Sequence, residues 1–237
     1  MLSAGIYIIT IMNILTKKKY NELLACAVKK ARTEAKGKHL PTGSHSHLDY
    51  WRTLAERNAY QYYQGTPCRN KIELIKIAGM AYSWMPTMLD LYFEKDYDFR
   101  PMLKLIAKCR KQKIDWGEQM QLMAEMSLMI NRSIVGASKV MHIIAPTFIP
   151  FTDSRVLRGW NVFFERDIRV GRIQGLPSSW SFSNERILFN KISSFTMYCD
   201  SIRQWSQQMN QTKSIRDIEV LFYFIGGKTR IDKLIVQ

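Results

Sequence analysis

Residues 133–156 concentrate the residue types that could bind or transform a ligand. A small-residue segment around Gly136 is followed by an extended segment that Pro146 and Pro150 hold in shape. We expect one helix to end before an exposed turn at Gly136 and a second helix to run over Ser138–Ile144. Backbone amides at such a turn, with the N-terminal dipole of the next helix, are suited to binding a phosphate.

With these features, residues 131–158 resemble the helix-hairpin-helix DNA glycosylase superfamily. In that superfamily a hairpin is followed by a Pro-containing extended segment and an acidic turn that opens the next helix, read here from Pro150 through Asp153 to Val156. The aspartate of that turn stabilises the positive charge that develops on the sugar or orients the attacking nucleophile. Bifunctional members use a hairpin lysine to form a Schiff base. The resemblance therefore implies catalytic roles for Asp153 and Lys139.

Asp153 has a second interpretation, because a carboxylate directly before an apolar-periodic helix is a favoured N-cap. A carboxylate at a helix N-terminus stays ionised, whereas a lysine such as Lys139 needs a lowered pKa to attack at neutral pH. The sequence leaves both roles of Asp153 open, and it leaves DNA glycosylase or lyase activity uncertain. We expect no cofactor and no metal site, since His45 and His47 lie in a polar loop without further ligands.

The charge of the chain favours a polyanionic partner, first of all nucleic acid and in particular DNA. Its 237 residues include 35 Lys and Arg against 20 Asp and Glu, a formal charge of +15. One basic stripe lies on a single helix face, and a second basic group follows the hairpin among aromatic residues that are suited to stacking on bases. The predicted nucleic-acid-binding residues are Gly136, Ser138, Lys104, Lys108, Lys111, Arg155 and Arg158.

Two other functions stay open beside the glycosylase resemblance. One is a non-catalytic DNA- or RNA-binding accessory of a mobile element or defence system, and the other is a protein–protein interaction module whose charge keeps it soluble. Other enzyme classes are disfavoured, because the sequence has no Gly-rich phosphate loop with Lys-Ser or Lys-Thr, no nucleophile elbow and no H-E-x-x-H motif. Nuclease chemistry also lacks its usual E-x-K motif on a strand.

The cysteines and the N-terminus indicate a cytoplasmic protein without a stable membrane span. Cys26, Cys68, Cys109 and Cys199 form no C-x-x-C pair, so we expect reduced and mostly buried thiols. Residues 1–15 form an apolar tail that is too short to cross a bilayer, which takes roughly 20 residues. Met12 offers an alternative start.

Helical periodicity predicts an all-α fold, with a single helical domain over residues 16–237. The Gly-, Pro- and Ser-rich segment 169–183 is the best candidate for a subdomain boundary. Helices are predicted over Lys17–Ala35, Leu48–Gln64, Lys71–Met85, Met102–Ile114, Trp116–Asn131, Ser138–Ile144, Ser154–Phe164, 183–208 and Ser214–Phe224. Four aliphatic side chains around the hairpin are predicted to be buried: Ile143, Ile144, Val156 and Leu157.

Overall fold

A computed structural model describes residues 68–83, 87–208 and 215–226. The apolar tail, the two histidines and the first two predicted helices lie outside these residues. Within them the fold is helical, as predicted, and extended pairing is limited to an isolated antiparallel bridge between Leu91 and Ile130. The helices are α1 (Lys71–Tyr82), α2 (Arg100–Arg110), α3 (Trp116–Met129), α4 (Ile134–Ile144), α5 (Ser154–Phe163), α6 (Glu165–Arg169), α7 (Glu185–Gln208) and α8 (Ile215–Ile225).

Side-chain caps fix where several of these helices begin. The Asn70 side chain accepts a hydrogen bond from the Glu73 amide at 3.0 Å, so α1 starts at the predicted residue. Asp115 and Glu118 form a reciprocal capping box at the start of α3. The α2 helix ends at Arg110, earlier than predicted, because the chain turns through a left-handed residue soon afterwards, Gln112 with φ 55°.

The described residues fall into two compact units. The α1–α4 unit comprises residues 68–83, 87–151 and 181–196, and it includes the first half of α7. The α5–α8 unit comprises residues 152–180, 197–208 and 215–226, and it includes the second half of α7. Each unit has its own buried core.

In the α1–α4 unit, α4 packs against α1 and α3, and α2 packs against α3. The methionines of α3 fill the core between these helices, as expected for an unbranched, adaptable side chain. Ile143 and Ile144 of α4 are buried, as predicted. The methionines that are buried on α3 are Met120, Met123, Met126 and Met129.

The prediction of an exposed turn at Gly136 is wrong. Gly136 lies inside α4, which begins four residues before the predicted start, and it is buried. The turn is instead formed by Ile130 to Ser133, where Asn131 and Arg132 adopt left-handed φ angles of 52° and 45°. Ser133 caps α4 by accepting a hydrogen bond from the Gly136 amide at 3.1 Å. Position 136 accommodates glycine and no larger residue, because a Cβ atom there would overlap the Tyr82 hydroxyl.

In the α5–α8 unit, α8 packs closely against α5. The backbones approach so tightly that a Cβ atom on Gly159 would overlap the carbonyl of Phe222. Val156 and Leu157 of α5 are buried, as predicted. Around this contact lies a cluster of buried aromatic rings: Trp160, Phe164, Tyr198, Trp205 and Phe222.

The described cysteines, Cys68, Cys109 and Cys199, are buried thiols, as predicted. Burial raises the pKa of the Cys68 thiol from 9.0 to about 12, and the nearby Glu73 charge adds to this effect. None of the helices in residues 68–83, 87–208 and 215–226 is long and apolar enough to cross a membrane.

Candidate nucleic-acid interface

The α2 helix presents a basic face that the sequence predicted. Lys104 and Lys108 are exposed on this helix, and Lys111 is exposed directly after it. The spacing of four and three residues places the three ammonium groups on the same side. The other side of α2 is anchored in the core by Met102, Leu105, Ile106 and Cys109. The basic face is therefore held on a packed helix.

Acidic residues neutralise only part of this basic face. Asp98 binds Arg100 with 2.8 Å between Oδ1 and Nε, and the hydrogen bonds from Arg100 lower the pKa of the Asp98 carboxyl. Glu118 of α3 forms an ion pair with Lys108. Within the part of the chain that the structure describes, Lys104 and Lys111 form no ion pair. Lys104 is close enough to Asp98 for its charge to help lower the pKa of that carboxyl.

The two other predicted residues of this unit do not reach the surface. Gly136 is buried in α4, and its amide is used by the Ser133 cap. Ser138 is also buried, and its hydroxyl donates to the Val135 carbonyl at 2.8 Å. The expectation that these residues present polar groups to a phosphate is therefore wrong, because both serve the packing of α4.

The two residues that the resemblance marks as catalytic lie in different units. Lys139 is half-buried on α4 of the α1–α4 unit. Asp153 belongs to the α5–α8 unit, where its Oδ1 accepts from the amides of Arg155 and Val156 at 2.8 and 2.9 Å. Asp153 is thus the N-cap of α5, and its catalytic role and that of Lys139 stay predictions. In the described ranges no group of three or more His, Cys, Asp or Glu side chains is placed to hold a metal ion.

Arg155 and Arg158 are exposed on α5, but their aromatic neighbours are not. Trp160 and Phe164 are fully buried, so these rings form a core and offer no stacking surface. The guanidinium of Arg155 lies 4.8 Å from the centre of the Tyr223 ring and hydrogen bonds to its hydroxyl. The Arg155 side chain is therefore engaged by Tyr223 within its own unit.

The turn between α3 and α4 brings together exposed residues that the sequence did not indicate as a site. Arg132 extends its guanidinium over the ring of Tyr92, 5.0 Å from its centre. Met88 lies four residues before Tyr92 in the chain and is 88% exposed. The signal for this turn is Asn131, a residue type that tolerates the left-handed conformation at helix ends. The pairing of Arg132 with Tyr92 has no local signal, because the two residues are far apart in sequence.

Comparisons with protein-family models, with curated proteins and with solved structures find no match for this chain.

Proposed function

We propose that this chain is a nucleic-acid-binding protein whose α2 face contacts the phosphate backbone. The observation that carries the proposal is the exposure of Lys104, Lys108 and Lys111 on one side of a helix whose other side is buried. The packed helix holds the backbone of these lysines at helical spacing, so their ammonium groups can reach neighbouring phosphates and release counterions. The formal charge of +15 for the whole chain supports the same class of partner.

The local charge balance also favours an anionic partner. Residues 100–113 contain six Lys and Arg and no Asp or Glu. Two of these six, Arg100 and Lys108, have an ion pair with Asp98 or Glu118. The other four, Lys104, Arg110, Lys111 and Lys113, have none within the described residues, and they would exchange bound counterions for phosphates.

Contacts of this kind are made to phosphate and sugar, so they position the ligand without reading its sequence. Binding should therefore be similar for duplexes of different sequence and should weaken steeply as salt rises. A protein–protein module would behave differently, because an apolar interface does not weaken between about 50 and 200 mM salt. Salt dependence thus separates the two functions.

A charge-reversal experiment tests the proposal. Lys104→Glu combined with Lys108→Glu should weaken duplex binding on the order of tenfold at low salt, as measured by fluorescence anisotropy with several unrelated sequences. The matched control is Lys76→Glu combined with Lys95→Glu, which changes the net charge equally at exposed residues of the same unit. The control should bind almost as the parent chain does. Equal losses in both pairs, or no loss in the first, would contradict a binding role for the α2 face.

Chemistry on a DNA base has weaker support than binding. It rests on the resemblance of residues 131–158, while the Asp153 carboxylate is accounted for by capping α5. Its test is release of a base, or trapping of a Schiff base by borohydride, on damaged or abasic duplexes. Loss of that activity in Asp153→Asn and Lys139→Gln would support an enzyme. No released base and no trapped adduct would leave a binding protein.

A further inference from the structure

The turn between α3 and α4 is an exposed and conformationally strained feature of the α1–α4 unit. Asn131 and Arg132 follow one another with left-handed φ angles of 52° and 45°. Asparagine tolerates this conformation, but arginine has no such preference, and glycine would adopt it with less strain. Strained backbone persists where surrounding contacts impose it, and such positions cluster at binding sites.

A neighbouring segment of the same unit holds this turn in place. The Asn131 amide donates to the Asp90 carbonyl at 2.9 Å, and its side-chain nitrogen donates to the Met88 carbonyl at 2.7 Å. The Asp90 amide donates back to the Asn131 side-chain oxygen at 2.8 Å. The Tyr92 amide then donates to the Met129 carbonyl at 2.8 Å, beside the bridge that pairs Leu91 with Ile130. Residues 88–92 and the turn thus form one hydrogen-bonded layer.

This layer brings an exposed cation and an exposed ring together. The Arg132 guanidinium lies 5.0 Å from the centre of the Tyr92 ring, and Tyr92 is 46% exposed. Met88 is the most exposed large apolar residue of the described chain and belongs to the same layer. Asp90 places a carboxylate beside Tyr92, whose hydroxyl lies 3.5 Å from one of the carboxylate oxygens.

We propose that Tyr92 and Arg132 form a stacking platform for an unpaired nucleotide, in which the base extends the stack of the guanidinium on the ring. This inference rests on the proposed function for its class of partner, but it uses residues outside the α2 face. An aromatic ring and a planar guanidinium bind the face of a base, and that face is accessible only when the base is unpaired or unstacked. An acidic peptide would pair with the charge of Arg132 but would make no use of the planar faces of the guanidinium and the ring.

The experiment compares labelled oligothymidine with an abasic strand of the same length and charge, by fluorescence anisotropy on the full chain. The parent chain should bind oligothymidine about tenfold more tightly, since one stacked base is worth that much. Tyr92→Ala should remove this preference, whereas Lys95→Gln, which removes an exposed cation of the same unit, should keep it. An oligouridine arm should give the same preference over an abasic ribose strand, because the base face is common to DNA and RNA.

Arg132→Gly distinguishes a loss of nucleotide binding from a loss of folding stability. Glycine relieves the left-handed strain at this position, so the melting temperature should stay equal or rise while the affinity for oligothymidine falls. Asp90→Asn should act in the opposite direction and tighten binding at low salt, because it removes the nearby negative charge. A parent chain that binds both strands equally would overturn the platform, and so would displacement of oligothymidine by polyglutamate at equal charge.

The two proposals fail in different ways. If both strands bind equally while Lys104→Glu with Lys108→Glu still weakens binding, the stacking platform is contradicted and binding by the α2 face is supported. If neither a single strand nor a duplex binds at low salt, both the stacking platform and binding by the α2 face are contradicted.

Discussion

Replacing Gly136 with alanine tests the reason why this glycine lies in the middle of α4. A Cβ atom built on Gly136 would overlap the Tyr82 hydroxyl oxygen and would stand 3.2 Å from both Tyr82 Cζ and Ile130 Cγ2. The hydroxyl belongs to a buried ring, so it cannot swing away freely. Gly136→Ala should therefore destabilise the chain, although alanine is the better helix former.

The magnitude follows from two opposing effects. Overpacking a core position costs about 1–3 kcal/mol, and replacing glycine by alanine inside a helix contributes about 0.5–1 kcal/mol in favour of folding. The net loss in the free energy of unfolding should be about 1–2 kcal/mol. In a Tyr82→Phe background the overlapping oxygen is gone, and the remaining 3.2 Å contacts need only small shifts. There the same substitution should be close to neutral, so the coupling between the two positions is about 1–2 kcal/mol.

Urea unfolding followed by circular dichroism measures these values for the four chains of the cycle. Gly79→Ala is the matched control, because Gly79 lies in α1 with no atom within 4 Å of its Cβ position. That substitution should stabilise the chain by about 0.5–1 kcal/mol. A close contact between position 136 and Tyr82 would be contradicted if Gly136→Ala stabilises the chain as much as Gly79→Ala, or if its cost is the same with and without the Tyr82 hydroxyl.

Three further outcomes are expected. Gly159→Ala should cost about 3 kcal/mol or more in thermal unfolding, because its Cβ would meet the Phe222 carbonyl, which is backbone and cannot move aside; an unchanged melting temperature would contradict this packing. Asp153→Ala should cost about 1 kcal/mol while Asp153→Asn keeps the capping oxygen and costs less, and equal losses would show that the charge and not the cap stabilises α5. The pKa of Cys68 is raised in the folded chain, so its contribution to stability is complete below pH 9.0 and is lost as the pH rises through about 12. Cys68→Ala should therefore lose less stability than the parent chain above pH 9.0, and an identical alkaline loss would assign the effect to other groups.

Local sequence signals predicted the features of the fold that depend on local physics. Asn70 marks the start of α1 because its side chain satisfies an amide three residues away. The methionines of α3 recur at helical spacing, and they are core residues as that spacing indicates. The lysines of the α2 face were equally predictable, because residues three and four apart share a helix face.

The α3–α4 turn was misplaced because its causes are not local. Glycine is typical of turns, but Gly136 is required by contact with Tyr82, a residue of another helix. The left-handed residues Asn131 and Arg132 depend on hydrogen bonds to the backbone of residues 88–92, some forty positions earlier. No spacing rule reveals that pairing. The ion pair of Lys108 with Glu118 was missed for the same reason, since it joins two helices.

The salt dependence of duplex binding decides whether the lysines of the α2 face contact phosphates. If Lys104, Lys108 and Lys111 contact three phosphates, they should account for about 2.7 of the slope of log K against log salt. Replacing all three by glutamine removes these positive charges and introduces no new acid, so the slope should become shallower by about that amount across unrelated sequences. A slope that is the same in the parent chain and in the triple variant would contradict binding by the α2 face.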